Sequence, residues 1–167
     1  MRLIAVFMLV AASGAFGYSL VLAEKRRERL VNGMITSLEI LRSEISARLS
    51  PLPDCFRLLS ETGPEACRSF YSSLLDTMDA LGEMEFARLW DACLSVQELP
   101  AEAASALSEL GKSLGRYSAQ EQRSALERCL ERLKFCSAER HEKSQQTARL
   151  RLGLPLCAGV LLAVILY

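Results

Sequence analysis

Two uncharged, apolar runs close this chain, one at each end, and each has arginines on its inner flank. Leu3–Ala23 holds 21 residues without a charge, and Leu152–Tyr167 holds 16. In hydrocarbon every backbone donor and acceptor must be satisfied internally, so a single run of this kind can cross a bilayer only as a helix. At about 1.5 Å per residue the first run reaches roughly 30 Å, the thickness of a bilayer core. The second reaches roughly 24 Å, which suffices if the bilayer thins locally. Lys25, Arg26, Arg27 and Arg29 follow the first run, while Arg149 and Arg151 precede the second. Positive residues are retained on the cytoplasmic side of a membrane. Both flanks predict one topology: transmembrane helices at 1–23 and 152–167, with a cytoplasmic helical domain at 24–151 between them.

Other readings exist for each end. Arg2, the apolar stretch after it and Ala12-Ser13-Gly14-Ala15 would also serve as a cleaved export signal. Against this, the apolar run continues to Ala23 and the basic cluster lies on the wrong side for export. Retention or cleavage of this segment stays open from the sequence. The last run would also fit a buried core helix. Small residues four apart, Ser13 with Gly17 and Gly159 with Ala163, allow close helix approach in lipid.

Charge is distributed unevenly along a chain that is neutral overall. Residues 24–53 hold six basic and four acidic side chains, 54–109 hold three and eleven, and 110–151 hold ten and five. The acidic block is the one furthest in sequence from either apolar end. Such a pattern lacks the global basic excess of a nucleic-acid binder. It places the basic segments near the anionic inner leaflet, where each Lys or Arg gains roughly 1 kcal/mol.

Apolar residues between the ends recur at three- and four-residue steps, which predicts helices and no sheet. Leu30, Met34, Leu38, Leu41, Ile45 and Leu49 extend the first helix to about Leu49, and Pro51 and Pro53 end it. A short helix carries Phe56 and Leu59, and Gly63-Pro64 breaks it, with Pro64 at the first position of the next. That next helix presents Phe70, Leu74, Leu75, Met78 and Leu81 and stops near Gly82. Phe86, Leu89, Trp90, Cys93 and Leu94 mark another. Pro100 opens a helix through Leu107 and Leu110, closed near Gly111 or Gly115. Ser118-Ala119-Gln120-Glu121 is a capping box, in which serine and glutamate satisfy the first free amides reciprocally. The helix after it bears Ala125, Leu126, Cys129, Leu130, Leu133 and Cys136 on one face. No Pro or Gly interrupts it before Gly153. Glu139 and Lys143, four apart, support its exposed side. The fold class is therefore all-α, a membrane-anchored helical bundle.

Catalytic and ligand-binding patterns fail on their spacing. Gly111-Lys112-Ser113 resembles the end of a phosphate-binding loop, but Ala106 stands where that loop needs a glycine, and a helix precedes it instead of a strand. His141-Glu142 opens like a metalloprotease helix, yet the chain has a single His. The six cysteines form no C-x-x-C pair and fall in apolar helical patterns, as small buried residues of a reducing compartment would. No catalytic residue, metal ligand, cofactor, nucleic acid or small-molecule substrate is indicated. The acidic block reads as a solvated face or as a docking surface for a basic partner, because charge asymmetry orients encounter. Glu83, Glu85, Asp91, Glu98 and Glu102 are its candidate docking residues.

The ordered set of motifs resembles the stage III sporulation protein AB family of endospore-forming bacteria. It comprises an apolar start with a basic cluster, then Leu41-Arg-Ser-Glu44-Ile45 and Pro51-Leu52-Pro53. Leu110-Gly111-Lys-Ser-Leu114-Gly115 follows, then a capped helix from Ser118 containing Gln122, and a bare apolar end. The family often has Asp where Ser118 stands, and either residue caps a helix. The resemblance implies a membrane protein of the mother cell, in the outer forespore membrane, belonging to a channel complex between mother cell and forespore. It implies a soluble domain similar to the cytoplasmic domain of the type II secretion and type IV pilus platform protein. It also implies a secretion-type ATPase, stage III sporulation protein AA, as cytoplasmic partner, alongside other membrane subunits. The resulting expectation is a non-enzymatic platform subunit. The alternatives are a general membrane-anchored scaffold of a secretion or pilus assembly, and an exported disulfide-bonded binding module.

Overall fold

The computed structural model describes residues 2–47, 51–81, 85–114 and 120–141, with side chains from 15 onward except 16, 47 and 79–81. Every regular element among them is a helix. They are α1 (Arg2–Ala47), α2 (Leu52–Thr62), α3 (Glu65–Leu81), α4 (Phe86–Ser95) and α5 (Ala101–Leu114), followed by α6 over 120–141. The chain divides into two compact units: Met1–Arg26 with Ala138–Tyr167, and Arg27–Ser137.

The larger unit is built on the stripes read from the sequence. Leu30, Met34, Leu38, Leu41 and Ile45 of α1 are all buried. So are Phe56 and Leu59 of α2, Phe70 and Leu74 of α3, and Leu89, Trp90 and Leu94 of α4. Ala125, Leu126, Cys129, Leu130, Leu133 and Cys136 of α6 complete this set. At its centre Phe56 sits 5.9 Å from the rings of both Tyr71 and Phe86 and 6.1 Å from Trp90. Phe70 meets Trp90 edge-on at 5.1 Å. Four helices thus converge on α2's one aromatic residue.

Two glycines allow helices to approach more closely than a side chain would permit. A Cβ on Gly33 would lie 2.8 Å from the Cys67 sulfur, so α3 crosses α1 there with almost no gap. A Cβ on Gly111 would lie 2.3 Å from Trp90 Cδ1. Trp90 donates its indole N–H to the Leu107 carbonyl at 2.8 Å, one turn before that glycine. Gly111 is therefore interior to α5 rather than its terminus, a correction to the sequence reading. The helix continues past it because the buried indole, not solvent, covers the bare backbone. Gly111-Lys112-Ser113 is consequently helical and is no phosphate-binding loop.

Pro64 also differs slightly from expectation. It precedes α3 by one residue, and its carbonyl accepts the Cys67 amide at 2.9 Å. Gly63 before it closes α2, where a Cβ would lie 2.3 Å from the Leu59 carbonyl oxygen.

Among the described residues no helix is long and apolar enough to cross a membrane. The run 152–167 lies outside them, as do Leu49, Gly82, Glu83, Gly115, Ser118 and Lys143. The run 3–23 forms the first part of α1; its described side chains begin at Ala15, nine residues before Glu24.

Candidate functional site

Four of the five candidate docking carboxylates fall on α4, α5 and the link between them; Glu83 lies outside the described residues. Glu85 stands immediately before α4 and is exposed, and its carbonyl accepts the Arg88 amide at 2.9 Å. Glu98 is exposed in the link. Glu102 is exposed in the first turn of α5, where the unpaired amides of a helix start favour a negative charge. Its carboxylate also accepts from the Cys136 thiol of α6 at 3.5 Å. Asp91 behaves differently. It is half-buried in α4, and one carboxylate oxygen is buried with no hydrogen-bond partner. Three carboxylates thus present charge to solvent, and the fourth points partly inward.

Ion pairs tie α6 to the elements beside it in the larger unit. Arg132 meets Glu109 of α5 at 2.6 Å, and Lys134 meets Glu39 of α1 at 2.6 Å. Both pairs are solvent-exposed, so each contributes at most about 1 kcal/mol. The Ser137 hydroxyl donates to the Asn32 side chain at 2.8 Å. Gln122, in the motif shared with the sporulation family, donates to the Leu114 carbonyl at 2.9 Å. This satisfies one of the free acceptors at the end of α5.

Thiol chemistry is suppressed throughout this unit. Cys55, Cys67, Cys129 and Cys136 are buried, Cys93 is half-buried, and all five are free. Burial pushes the Cys67 thiol up to about 11 and the Cys129 thiol up to about 12. It raises Cys55 and Cys93 as well. A neutral thiol is a poor nucleophile and a poor metal ligand. Burial also raises the fully enclosed Tyr71 phenol, against an opposing contribution from the Ser37 hydroxyl. A cleft of about 80 Å³ between α5 and α6 is lined by Ala106, Leu110, Ala125 and Cys129, with Arg128 and Arg132 at its edge. Drug-sized and cofactor ligands need roughly 300 Å³ or more.

One feature of α1 went unread in the sequence. Glu24 and Glu28 are half-buried, whereas Lys25, Arg26, Arg27 and Arg29 between and beside them are exposed. Glu24 faces Arg140 at 3.5 Å. The signal was available: the two carboxylates are four apart and share one side of the helix, away from the cations.

A structural comparison finds a solved structure described as stage III sporulation protein AB, with a TM-score of 0.64 and 18% sequence identity. The match covers 72% of this chain and 98% of that one, and at this identity it speaks to the fold alone. No curated protein matches the sequence. The family profile for stage III sporulation protein AB matches residues 2–167, and the chain therefore belongs to that family of sporulation proteins.

Proposed function

We propose that the protein is a non-enzymatic membrane platform subunit of the channel complex between mother cell and forespore. In this reading both termini are anchored in the outer forespore membrane and the helical domain stands in the mother-cell cytoplasm. The acidic segment docks a secretion-type ATPase of the stage III sporulation protein AA kind. Other membrane subunits of the complex contact the anchors, and the domain transmits the contact mechanically. The carrying observation is the outer surface of α1, which changes from exposed apolar residues to exposed cations within one turn. Tyr18, Leu20 and Leu22 are 61%, 47% and 44% exposed. Lys25, Arg26, Arg27 and Arg29 follow, all exposed. Large apolar side chains next to a basic ring suit a lipid–water boundary. Membership of the sporulation family supports the cellular setting.

Two experiments test it. Reporters fused at each terminus and inserted in the 60–100 region map topology: the middle insertion is active only as a cytoplasmic reporter, and the two ends only as external ones. An external middle segment refutes the reading. A pull-down with the ATPase compares wild type with Glu85→Lys, Glu98→Lys and Glu102→Lys combined. Binding falls at least about tenfold if exposed charge steers docking. Unchanged binding removes the acidic surface from the proposal.

A further inference from the structure

The cations of α1 are sorted by direction as well as by depth. With about 100° of rotation per residue and Lys25 at zero, Arg29 lies near 40°, Arg26 near 100° and Arg27 near 200°. Glu24 and Glu28 fall near 260° and 300° on the same scale, within the sector that the cations leave open. Their half-burial, and the Glu24–Arg140 pair at 3.5 Å, show that this sector faces protein. The four cations occupy the remaining circumference, all exposed. None of them is in a salt bridge or hydrogen bond among the described residues.

Height along the helix points to the occupant. Lys25 to Arg29 rises about 6 Å, and the last exposed aliphatic, Leu22, lies about 4.5 Å below Lys25. A bilayer's headgroup layer is roughly 5–8 Å deep on each side of its hydrocarbon core. Four guanidinium and ammonium groups therefore fit within one headgroup layer when Tyr18, Leu20 and Leu22 meet acyl chains. Guanidinium groups bind phosphate oxygens in a bidentate fork. We infer that Lys25, Arg26, Arg27 and Arg29 form a surface that selects anionic phospholipids by their headgroup phosphates. This rests on the membrane reading above. It adds that the anchor chooses its lipid neighbours and that α1 turns its carboxylates away from them. An acidic protein is a poorer occupant, because it would leave the exposed aliphatic turn beside it uncovered.

The test uses the full chain reconstituted in phosphatidylcholine vesicles containing spin-labelled phosphatidylglycerol or spin-labelled phosphatidylcholine. Motionally restricted lipid favours phosphatidylglycerol by at least about threefold, as expected for several cations near an anionic surface. The preference shrinks in 0.5 M salt, where the screening length is only about 4 Å. The combined variant Lys25→Gln, Arg26→Gln, Arg27→Gln, Arg29→Gln brings the ratio close to one. A control variant, Arg123→Gln with Arg128→Gln on α6, leaves it unchanged. Equal restriction of both lipids by the wild type, or an undiminished preference in the fourfold variant, overturns the inference. Alkaline carbonate extraction of the same vesicles separates the two levels. Protein that stays in the membrane without selecting lipid refutes only the inference; protein that is stripped off refutes the membrane reading and the inference with it.

Discussion

Gly111→Ala should destabilise the domain, although alanine is the better helix former. The substitution gains about 1 kcal/mol of helix propensity at an interior helical position. Against this, the new methyl carbon would lie 2.3, 2.6 and 2.9 Å from Cδ1, Cγ and Nε1 of Trp90. The indole cannot retreat freely, because Trp90 is fully buried and stacked among Phe56, Phe70 and Phe86. Overpacking of this kind costs about 1–3 kcal/mol. Any shift also stretches the 2.8 Å bond to the Leu107 carbonyl, which contributes about 1 kcal/mol. The net expectation is a loss of about 2 kcal/mol. Urea unfolding of the full chain in detergent, followed by helical circular dichroism, measures it. A double-mutant cycle with Trp90→Phe isolates the cause: with the indole gone, Gly111→Ala costs at least about 1 kcal/mol less. Equal or greater stability of the single variant would refute the argument that the indole's seat requires a glycine.

Phe56→Ala removes the ring on which four helices converge and should cost about 3–5 kcal/mol, read as a lower unfolding midpoint. Raised thiol pKa values make stability pH-dependent on the alkaline side. Cys67 and Cys129 stay protonated to about 11 and about 12 in the fold but ionise near 9.0 when unfolded. The unfolded state then holds fewer protons, so their contribution is complete below pH 9 and is lost as pH rises toward 11 and 12. Unfolding midpoints at pH 8 and pH 10 test this, and Cys67→Ala with Cys129→Ala should flatten the difference. Maleimide labelling at neutral pH should modify Cys93 before Cys67 and Cys129, because Cys93 is half-buried and they are buried; labelling in the reverse order would count against the packing described.

Much of the core was legible because helical periodicity records which face is covered. The stripe Leu30-Met34-Leu38-Leu41-Ile45 and the six apolar positions of α6 need no partner to be recognised, only their spacing. What spacing cannot show is which surface covers an element. Gly111 read as a helix end because glycine usually closes helices, and only the indole lying over it explains its interior place. Cys67 and Tyr71 are buried against α1 through the gap left at Gly33, a pairing 34 residues apart for Cys67 that no local pattern encodes. The candidate docking residues were chosen by charge alone. Charge does not reveal that Asp91 turns one oxygen inward while Glu85, Glu98 and Glu102 stay at the surface. The sorting of carboxylates from cations at 24–29 was present in the sequence, but it acquires meaning only with Arg140 opposite Glu24.

Fractionation of lysed sporulating cells bears most directly on the membrane account. After high-speed sedimentation without detergent, the full-length protein should be in the pellet, resist alkaline carbonate and be released by detergent. Its recovery in the supernatant before any detergent is added would contradict a protein whose two ends are dissolved in lipid.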